Sequence, residues 1–225
     1  MNRHFKGVIF DMDGVLVDSE PLHQRAWKQT LGELGIPLSD EQFRQLMGKT
    51  TRQIFSLYFE KHGIQADLEY WSFKKDEAYR ALVHRELQPL DGVVPFVMYL
   101  NSRKIRMAVA SSAVRLNVQA ALDCLKLEGM FQAVLSVEDI THPKPDPEIY
   151  LTAAAQLGLA PVDCAVIEDS LPGIQSARQA GAFVVGITSN FPAETLAIAD
   201  RVCASFQEIH EFLQPRLLSS GFEGG

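Results

Sequence analysis

The sequence predicts an α/β protein built on a parallel sheet, with a helical segment inserted after the first strand. Short apolar runs rich in β-branched residues recur along the chain, and helical stretches separate most of them. The alternation is interrupted once, at residues 18–88, where one helical pattern follows another. Strand, helix and strand in sequence indicate parallel pairing through right-handed crossovers, with helices on both faces of the sheet.

Five apolar runs are predicted to be strands, because continuous apolar segments of this length suit strands buried on both faces. They lie at residues 8–10, 107–110, 133–135, 165–167 and 183–187. Helices are predicted between them at residues 116–127, 148–157 and 172–180. Gly158 and Gly181 stand where the last two helices end, a position that favours glycine.

The inserted segment is predicted to form a helical cap domain. Its helical stretches are residues 20–34, 51–62 and 67–87, the first two of which end at Gly35 and Gly63. An insertion after the first strand leaves the sheet at the carboxyl ends of the strands, where open α/β folds bind ligands. We therefore predict a core of residues 1–17 and 89–225, and a cap of residues 18–88 that acts as a lid.

Composition and charge limit the partners of the chain. Its 225 residues are 47% hydrophobic and 22% charged, as in ordinary globular proteins. A formal charge of -7 argues against nucleic acid, whose binding needs Lys and Arg, but permits a small anionic substrate. No apolar run has membrane-spanning length, and a strand-like segment within ten residues of the start leaves no room for a signal peptide. We expect a cytoplasmic monomer with neither a nucleic-acid nor a membrane partner.

Two carboxylates follow the first predicted strand. In the segment Asp11-Met12-Asp13-Gly14, alternate residues of extended chain point the same way, so Asp11 and Asp13 are expected to converge on one ion or substrate atom. Gly14 permits a sharp turn of the backbone. Taken alone, the pattern is equally consistent with an aspartate-rich turn that closes a strand.

The ends of the other strands favour a catalytic interpretation. Ser111 and Ser112 end the second run, where a hydroxyl and backbone N–H groups can hold a phosphate oxygen, and a serine there is also an ordinary helix N-cap. A proline-braced loop presents Lys144, and the fourth run ends in Glu168-Asp169. Buried carboxylates need a cation, and Mg²⁺ prefers oxygen ligands, so Asp11, Asp13 and Asp169 are candidate ligands.

These motifs resemble the haloacid dehalogenase superfamily. The four motifs are matched by DMDGVLVD at 11–18, Ser111, Lys144 and the Glu-Asp pair at 168–169. The inserted helices, together with HPKPDPEIY and IEDSLPGI, are similar to the branch that contains β-phosphoglucomutase and small sugar-phosphate phosphatases. The resemblance covers residues 5–213 and implies a Rossmann-like doubly wound parallel sheet with an inserted α-helical cap.

The resemblance also implies roles for these residues. Asp11 is expected to be the nucleophile, and Asp13 the general acid and base, with its backbone carbonyl on the metal. Asp169 is expected to bind the metal directly, and Glu168 to be a second acidic group beside it. Ser111 is expected to bind a phosphate oxygen, and Lys144 to be the cation that compensates the negative charge. Mg²⁺ is the implied cofactor.

In the cap, the resemblance points to four further substrate-binding candidates. His23 and Lys75 match positions with hinge and substrate-contact roles in β-phosphoglucomutase, although each also suits a solvated residue on a helix face. Lys49 and Arg52 lie in the segment 47–52, which resembles the specificity loop of the cap. Here the chain departs from the mutase pattern, since Thr51 stands where the mutase has an arginine.

That departure favours hydrolysis over isomerisation, because a mutase needs a second phosphate site, for which arginine is the natural group. We predict first a Mg²⁺-dependent phosphatase that hydrolyses a small sugar or polyol phosphate through an aspartyl-phosphate. The alternative is an isomerase of the β-phosphoglucomutase type. A non-catalytic sugar-phosphate-binding protein is a third hypothesis. A true dehalogenase is not expected, because it has no use for the carboxylates of Asp13 and Asp169.

Overall fold

The computed structural model describes residues 3–46 and 49–218, so Met47 and Gly48 of the predicted specificity loop lie outside the described residues. The chain divides into two compact units. One consists of Met1–Asp18 and Gln88–Gly225, and the other of Ser19–Leu87. Within the part of the chain that is described, no helix combines the length and the apolar character needed to cross a bilayer.

The first unit contains a sheet of parallel strands. The strands are β1 (Gly7–Phe10), β2 (Arg106–Ala110), β3 (Ala133–Leu135), β4 (Cys164–Glu168), β5 (Phe183–Ile187) and β6 (Arg201–Cys203). Their order across the sheet is β3-β2-β1-β4-β5-β6, and every neighbouring pair is parallel. The order reverses at β1, which is the switch point where open α/β sheets form their ligand crevice. The predicted doubly wound α/β fold is confirmed.

Helices occupy both faces of this sheet. Among the described residues, the helices of the second unit are α1 (Glu20–Glu33), α2 (Asp40–Arg44), α3 (Thr51–His62) and α4 (Leu68–Glu86). Those of the first unit are α5 (Val93–Ser102), α6 (Arg115–Leu125), α7 (Glu148–Gln156), α8 (Leu171–Gln179) and α9 (Phe206–Leu213). Helix α7 contacts β1, β2 and β3, and α8 contacts β4 and β5. Helices α5 and α9 contact each other and pack on β2 and β6 respectively.

The core of the first unit explains why the apolar runs became strands. Every residue of β1 and β4 is buried. Ile9 and Val166 pack with Tyr150 of α7 and Ile174 of α8 in one continuous cluster. Burial on both faces of a central strand demands an apolar side chain at every position, so these strands lack the alternation of a half-exposed strand.

Three elements of the first unit were not identified from the sequence. Helix α5 has the sequence VVPFVMYLNS, in which β-branched residues and a proline obscure the helical period. Strand β6 has the sequence RVC, in which a charged residue leaves no continuous apolar run. Helix α9 follows it, and its N-cap is Ser205, whose hydroxyl accepts a hydrogen bond from the Glu208 N–H.

The second unit is a cluster of helices with its own core. Trp27 of α1 and Phe55 of α3 lie at its centre, with ring centroids 4.8 Å apart. Helix α3 begins with a capping box between Thr50 and Gln53 and ends at Gly63, which has a φ of 63°. The short helix α2, closed by a capping box at Ser39, was not identified from the sequence.

Candidate active site

The carboxyl ends of the central strands bring the predicted motifs to one edge of the sheet. Phe10 of β1 pairs with both Val109 of β2 and Ile167 of β4, so the residues that follow these strands lie level. The residues at this edge are Asp11 after β1, Ser111 after β2, and Glu168 and Asp169 at the end of β4. Asp11 continues the pairing by one residue, because its N–H donates to the carbonyl of Ile167 at 3.0 Å.

Lys144 joins this edge from the loop between β3 and α7. Its Nζ donates to Asp11 Oδ1 at 2.6 Å, to Glu168 Oε1 at 2.7 Å and to the carbonyl of Ala110 at 3.1 Å. The Lys144 side chain is only 6% exposed. All three ammonium hydrogens thus have acceptors, which fixes the position of the positive charge beside Asp11.

The loop that carries Lys144 is held on both sides of the lysine. The Ser176 hydroxyl of α8 donates to the carbonyl of Asp146 at 2.6 Å. Glu148, the first residue of α7, accepts the N–H groups of Thr141 and His142 at 2.9 and 2.8 Å. The proline density noted in the sequence is therefore accompanied by hydrogen bonds that fix the loop to two helices.

Glu168 accepts four hydrogen bonds from the protein. Its Oε1 accepts from Lys144 Nζ and from the Tyr150 hydroxyl at 2.8 Å, while its Oε2 accepts from the N–H and hydroxyl of Ser170 at 3.0 and 2.9 Å. The side chain is fully buried. It lies so close to Gly173 that a Cβ there would be 1.7 Å from Oε1. These contacts tie Glu168 to the lysine and explain the glycine in the first turn of α8.

The pKa values at this edge of the sheet are shifted by burial and by the charges of neighbouring carboxylates and one lysine. Burial raises the pKa of Asp11 to about 8, with Lys144 opposing the rise and Glu168 adding to it. Burial and the neighbouring charges of Glu168 and Asp11 likewise raise the pKa of Asp169 well above its ordinary value. Burial alone lowers the pKa of Lys144, but the carboxylates of Asp11 and Glu168 outweigh it and raise that pKa well above normal. The edge carries more buried negative charge than Lys144 balances.

This charge and its geometry suit a divalent cation. Asp11, Glu168 and Asp169 each offer an oxygen within 4.8 Å of the others, and all three residues are buried. Carboxylate oxygens are the ligands that Mg²⁺ and Ca²⁺ prefer. A cation here offsets the burial and the mutual repulsion that raise the pKa values of Asp11 and Asp169, so the residues present fit a divalent metal ion.

Asp13 lies in a tight turn beyond Asp11 and outside that set of clustered oxygens. The N–H of Gly14 donates to the carbonyl of Val17 at 2.9 Å, and Asp13 forms an isolated bridge with Val17. Gly14 has a φ of 77°, and a Cβ there would meet Asp169 Oδ2 at 2.2 Å. The turn therefore needs glycine on both conformational and steric grounds, of which the sequence predicted the first.

The two serines after β2 differ in exposure. Ser111 is fully buried, and its Oγ accepts a hydrogen bond from the N–H of Ala113 at 3.0 Å. Ser112 is exposed. The prediction that a serine here caps the next helix is wrong, since α6 begins at Arg115 with Val114 as its N-cap.

Three residues of this region were not predicted from the sequence to belong to the site. Tyr150 donates to Glu168 and places its ring 4.9 Å from Lys144 Nζ. Asn190 donates through Nδ2 to Asp169 Oδ2 at 2.8 Å, and the neighbouring Ser189 hydroxyl donates to the carbonyl of Gly14. Tyr150 lies within the segment HPKPDPEIY, and Ser189 and Asn190 follow the fifth apolar run. Their positions at the end of a loop or strand were the signal by which the sequence could have indicated them.

In the second unit, His23 and Lys75 form a contact of their own. Lys75 Nζ lies 3.0 Å from His23 Nδ1 and 3.3 Å from Asp76 Oδ1. The His23 ring stacks on Tyr79, with centroids 3.9 Å apart. Lys75 is 3% exposed, so the alternative that it is a solvated residue on a helix face is wrong. An ammonium has donors only, so a charged Lys75 pairs with the His23 tautomer that accepts at Nδ1.

The other two candidates of the second unit are solvent-exposed and engaged locally. Arg52 forms a 2.6 Å ion pair with Glu69, in which both side chains are 73% exposed. Lys49 donates to the carbonyl of Gln45 at 2.9 Å. Neither residue contacts His23 or Lys75 among the hydrogen bonds and ion pairs of the described residues.

The chain belongs to the haloacid dehalogenase-like hydrolase family, whose model matches residues 8–187. The resemblance inferred from the four motifs is thereby confirmed. The chain is 33% identical to the fructose-1-phosphate phosphatase YqaB of Escherichia coli over 187 residues, which cover 83% of this chain and 98% of that protein. It is also 33% identical to the β-phosphoglucomutase of Bacillus subtilis, over 83% of this chain and 85% of the mutase.

A solved structure supports the same assignment of the fold. The crystal structure of a family IA haloacid dehalogenase hydrolase from Entamoeba histolytica superposes with a TM-score of 0.84 at 29% identity. The match covers 93% of this chain and 98% of that one. Both the sheet and the inserted helices of the chain therefore have counterparts in a known hydrolase.

Proposed function

We propose that this protein is a Mg²⁺-dependent phosphatase that hydrolyses a small sugar or polyol phosphate through an aspartyl-phosphate on Asp11. The observation that carries the proposal is the 2.6 Å contact between buried Asp11 and buried Lys144, next to Asp169. A carboxylate is a suitable acceptor for a phosphoryl group when cations offset its repulsion from the anionic substrate. Lys144 supplies one such cation.

The proposed reaction has two displacements at phosphorus. An oxygen of Asp11 bonds to phosphorus as the bond to the substrate oxygen breaks, and Asp13 gives a proton to the departing alcohol. Asp13 then takes a proton from water, whose oxygen bonds to phosphorus and releases Asp11 and inorganic phosphate. Lys144 and the Ser111 hydroxyl are proposed to hold the phosphoryl oxygens, together with the backbone at Ser112.

Magnesium is the proposed cofactor, held by Asp11, Asp169 and the backbone carbonyl of Asp13, with Glu168 beside them. When bound, it neutralises phosphoryl oxygens and the buried carboxylates. The residues fit this ion because Asp11, Glu168 and Asp169 are buried together, and Lys144 bonds to the first two of them. Glu168 already accepts four protein hydrogen bonds, so we propose that its main contribution is to hold Lys144.

The second unit is proposed to select the substrate, because the residues at the sheet edge suffice only for a phosphoryl group and a metal. Lys75 and His23 are the strongest candidates, since Lys75 is buried and its 3.0 Å contact with His23 holds both side chains in place. Lys49 and Arg52 remain weaker candidates, because both are exposed and engaged with neighbouring groups.

A β-phosphoglucomutase-type isomerase is the second candidate, favoured by the 33% identity to the B. subtilis mutase. Such an enzyme must hold the second phosphate of a bisphosphate. In this chain Thr51 replaces the arginine of the mutase pattern, and the neighbouring Arg52 is paired with Glu69. The identity to a fructose-1-phosphate phosphatase is equally high, so the missing arginine is the observation that favours hydrolysis.

The proposal is tested by measuring phosphate release from fructose 1-phosphate, other hexose phosphates, polyol phosphates and nucleotides with Mg²⁺. A coupled assay for conversion of β-glucose 1-phosphate to glucose 6-phosphate is run in parallel. Phosphate release from a sugar or polyol phosphate, lost in Asp11→Asn, supports the phosphatase. Isomerisation without net phosphate release, dependent on a bisphosphate primer, establishes the mutase instead, and binding without turnover establishes the non-catalytic protein.

A further inference from the structure

The segment after β2, which carries Ser111 and Ser112, is hydrogen-bonded to the segment after β3. The Ser111 N–H donates to the carbonyl of Leu135 at 3.0 Å and thereby extends the pairing of β2 with β3. Further on, the N–H of Val137 donates to the carbonyl of Ala113 at 3.1 Å. The backbone that is proposed to hold the phosphoryl group is therefore fixed on both sides of Ser112.

A third contact between the two segments lies at the start of α6. The N-cap of this helix is Val114, whose side chain offers no acceptor to the N–H groups of the first turn. Glu138, in the segment after β3, provides the acceptor, because the Arg115 N–H donates to its Oε1 and Oε2 at 3.1 and 2.9 Å. The helix dipole also favours a carboxylate at this end. Glu138 thus caps a helix whose own N-cap residue cannot.

An ion pair holds the turn that carries Glu138. Arg115 Nη2 donates to Asp139 Oδ1 at 2.6 Å, and Asp139 Oδ2 accepts the N–H and the hydroxyl of Ser136, both at 2.8 Å. Arg115 therefore contacts this turn twice, once through its backbone N–H and once through its guanidinium. The position of the Glu138 carboxylate is fixed relative to α6 as a result.

We propose that Glu138 is a positioning residue that holds the backbone at Ser111 and Ser112 in the arrangement that binds a phosphoryl group. The inference rests on the proposed function, in which these two residues hold the phosphoryl oxygens. It goes further, because Glu138 belongs to none of the four motifs that identify the family and acts through its contact with Arg115.

The charge of Glu138 and its hydrogen bonds have opposite consequences for a bound anion. If Glu138 acted only as a negative charge, its removal would strengthen phosphate binding, because like charges repel. If it positions the backbone, its removal weakens phosphate binding, because an uncapped first turn and the segment before it are less well held. Glu138 is exposed, so a smaller side chain there leaves no cavity in the core. The sign of the change therefore identifies the role.

The test is calorimetric titration of wild type, Glu138→Ala and Glu138→Gln, with Mg²⁺ alone and then with inorganic phosphate in the presence of Mg²⁺. Glu128→Ala is the control, because it removes the same charge from another exposed position of the first unit. We expect Glu138→Ala to raise the dissociation constant of phosphate by about fivefold, the equivalent of one helix cap, and to leave that of Mg²⁺ unchanged. Glu138→Gln keeps an oxygen that can accept the Arg115 N–H and should bind phosphate as tightly as the wild type.

Unchanged or tighter phosphate binding by Glu138→Ala overturns the inference and leaves the phosphatase proposal standing. Equal weakening of phosphate and Mg²⁺ also overturns it, because that result indicates general damage to the site. A wild type that binds Mg²⁺ but no phosphate overturns the proposed phosphate site and the inference with it. Thermal unfolding confirms that each variant is folded.

Discussion

Lys144 donates a 2.6 Å hydrogen bond to Asp11, a residue 133 positions earlier in the chain, and a second of 2.7 Å to Glu168. The lysine thus bridges the ends of β1 and β4 within the first unit. Both carboxylates are buried, so the ammonium contributes to the stability of the site as well as to its proposed chemistry.

Lys144→Met should lower phosphatase activity by on the order of a thousandfold, because the phosphoryl group then meets Asp11 without a fixed cation. The variant also leaves two buried carboxylates without their partner, which we expect to destabilise the unit by about 3–5 kcal/mol at neutral pH. The measurements are steady-state kinetics and denaturant unfolding. Lys6→Met, which removes an exposed ion pair with Asp163, should change neither quantity appreciably.

Asp11→Asn should abolish activity and yet stabilise the metal-free protein at pH 8. Asp11 has a pKa of about 8 in the folded protein against an ordinary value of 3.8, so the folded state holds a proton that the unfolded state has lost. The free energy of unfolding therefore falls as pH rises from about 4 to about 8. Asparagine removes this dependence, since it has no charge to bury.

The check for Asp11→Asn is thermal unfolding in EDTA at pH 6 and pH 8. The difference in melting temperature between variant and wild type should widen at the higher pH. Added Mg²⁺ should stabilise the wild type more as pH rises, because the ion competes with protons for the same oxygens. A wild-type melting temperature that is constant across this range contradicts the raised pKa.

Gly173→Ala should destabilise the protein by on the order of 2 kcal/mol, because the new methyl group collides with Glu168, whose carboxylate is fixed by four donors. The matched control is Gly32→Ala in α1, where nothing lies within 4 Å of the added methyl. Helix propensity favours alanine there by about 0.5–1 kcal/mol. Urea unfolding should give opposite signs for the two substitutions.

Lys75→Met should raise the KM for the preferred sugar phosphate by about tenfold, with little effect on the hydrolysis of p-nitrophenyl phosphate. The reason is that Lys75 is proposed to contact the sugar and not the phosphoryl group. Lys74→Met is the control, because the neighbouring Lys74 forms its ion pair with Glu33. Equal losses on both substrates would assign Lys75 a structural role instead.

Much of the fold was predictable because its central strands must be apolar throughout. Strands β3 and β5 begin and end where the sequence predicted, and helix α3 has the predicted bounds because capping signals mark both of its ends. Strand β6 and helix α5 were missed for physical reasons. Strand β6 begins with a charged residue and shows no continuous apolar run, and helix α5 is apolar on too many sides to show a period.

The site residues that stand at the end of a strand could be predicted from the sequence. Asp11, Glu168 and Asp169 could be placed on one edge of the sheet because parallel strands share their polarity. The partners of Asp169 could not be placed, because Asn190 reaches it from a different strand through a loop of irregular backbone. The buried contact between Lys75 and His23 could not be predicted either, because a lysine on a helix is ordinarily expected to be solvated.

The most direct test of the account is to trap the acyl phosphate chemically. The protein is mixed with Mg²⁺ and its substrate, quenched in acid, reduced with borohydride and digested for mass spectrometry. We predict homoserine at position 11, because reduction of an aspartyl-phosphate gives that residue, and unmodified aspartate when substrate is omitted. Phosphate release in the same sample with no homoserine at position 11 would contradict the assignment of Asp11 as the phosphoryl acceptor.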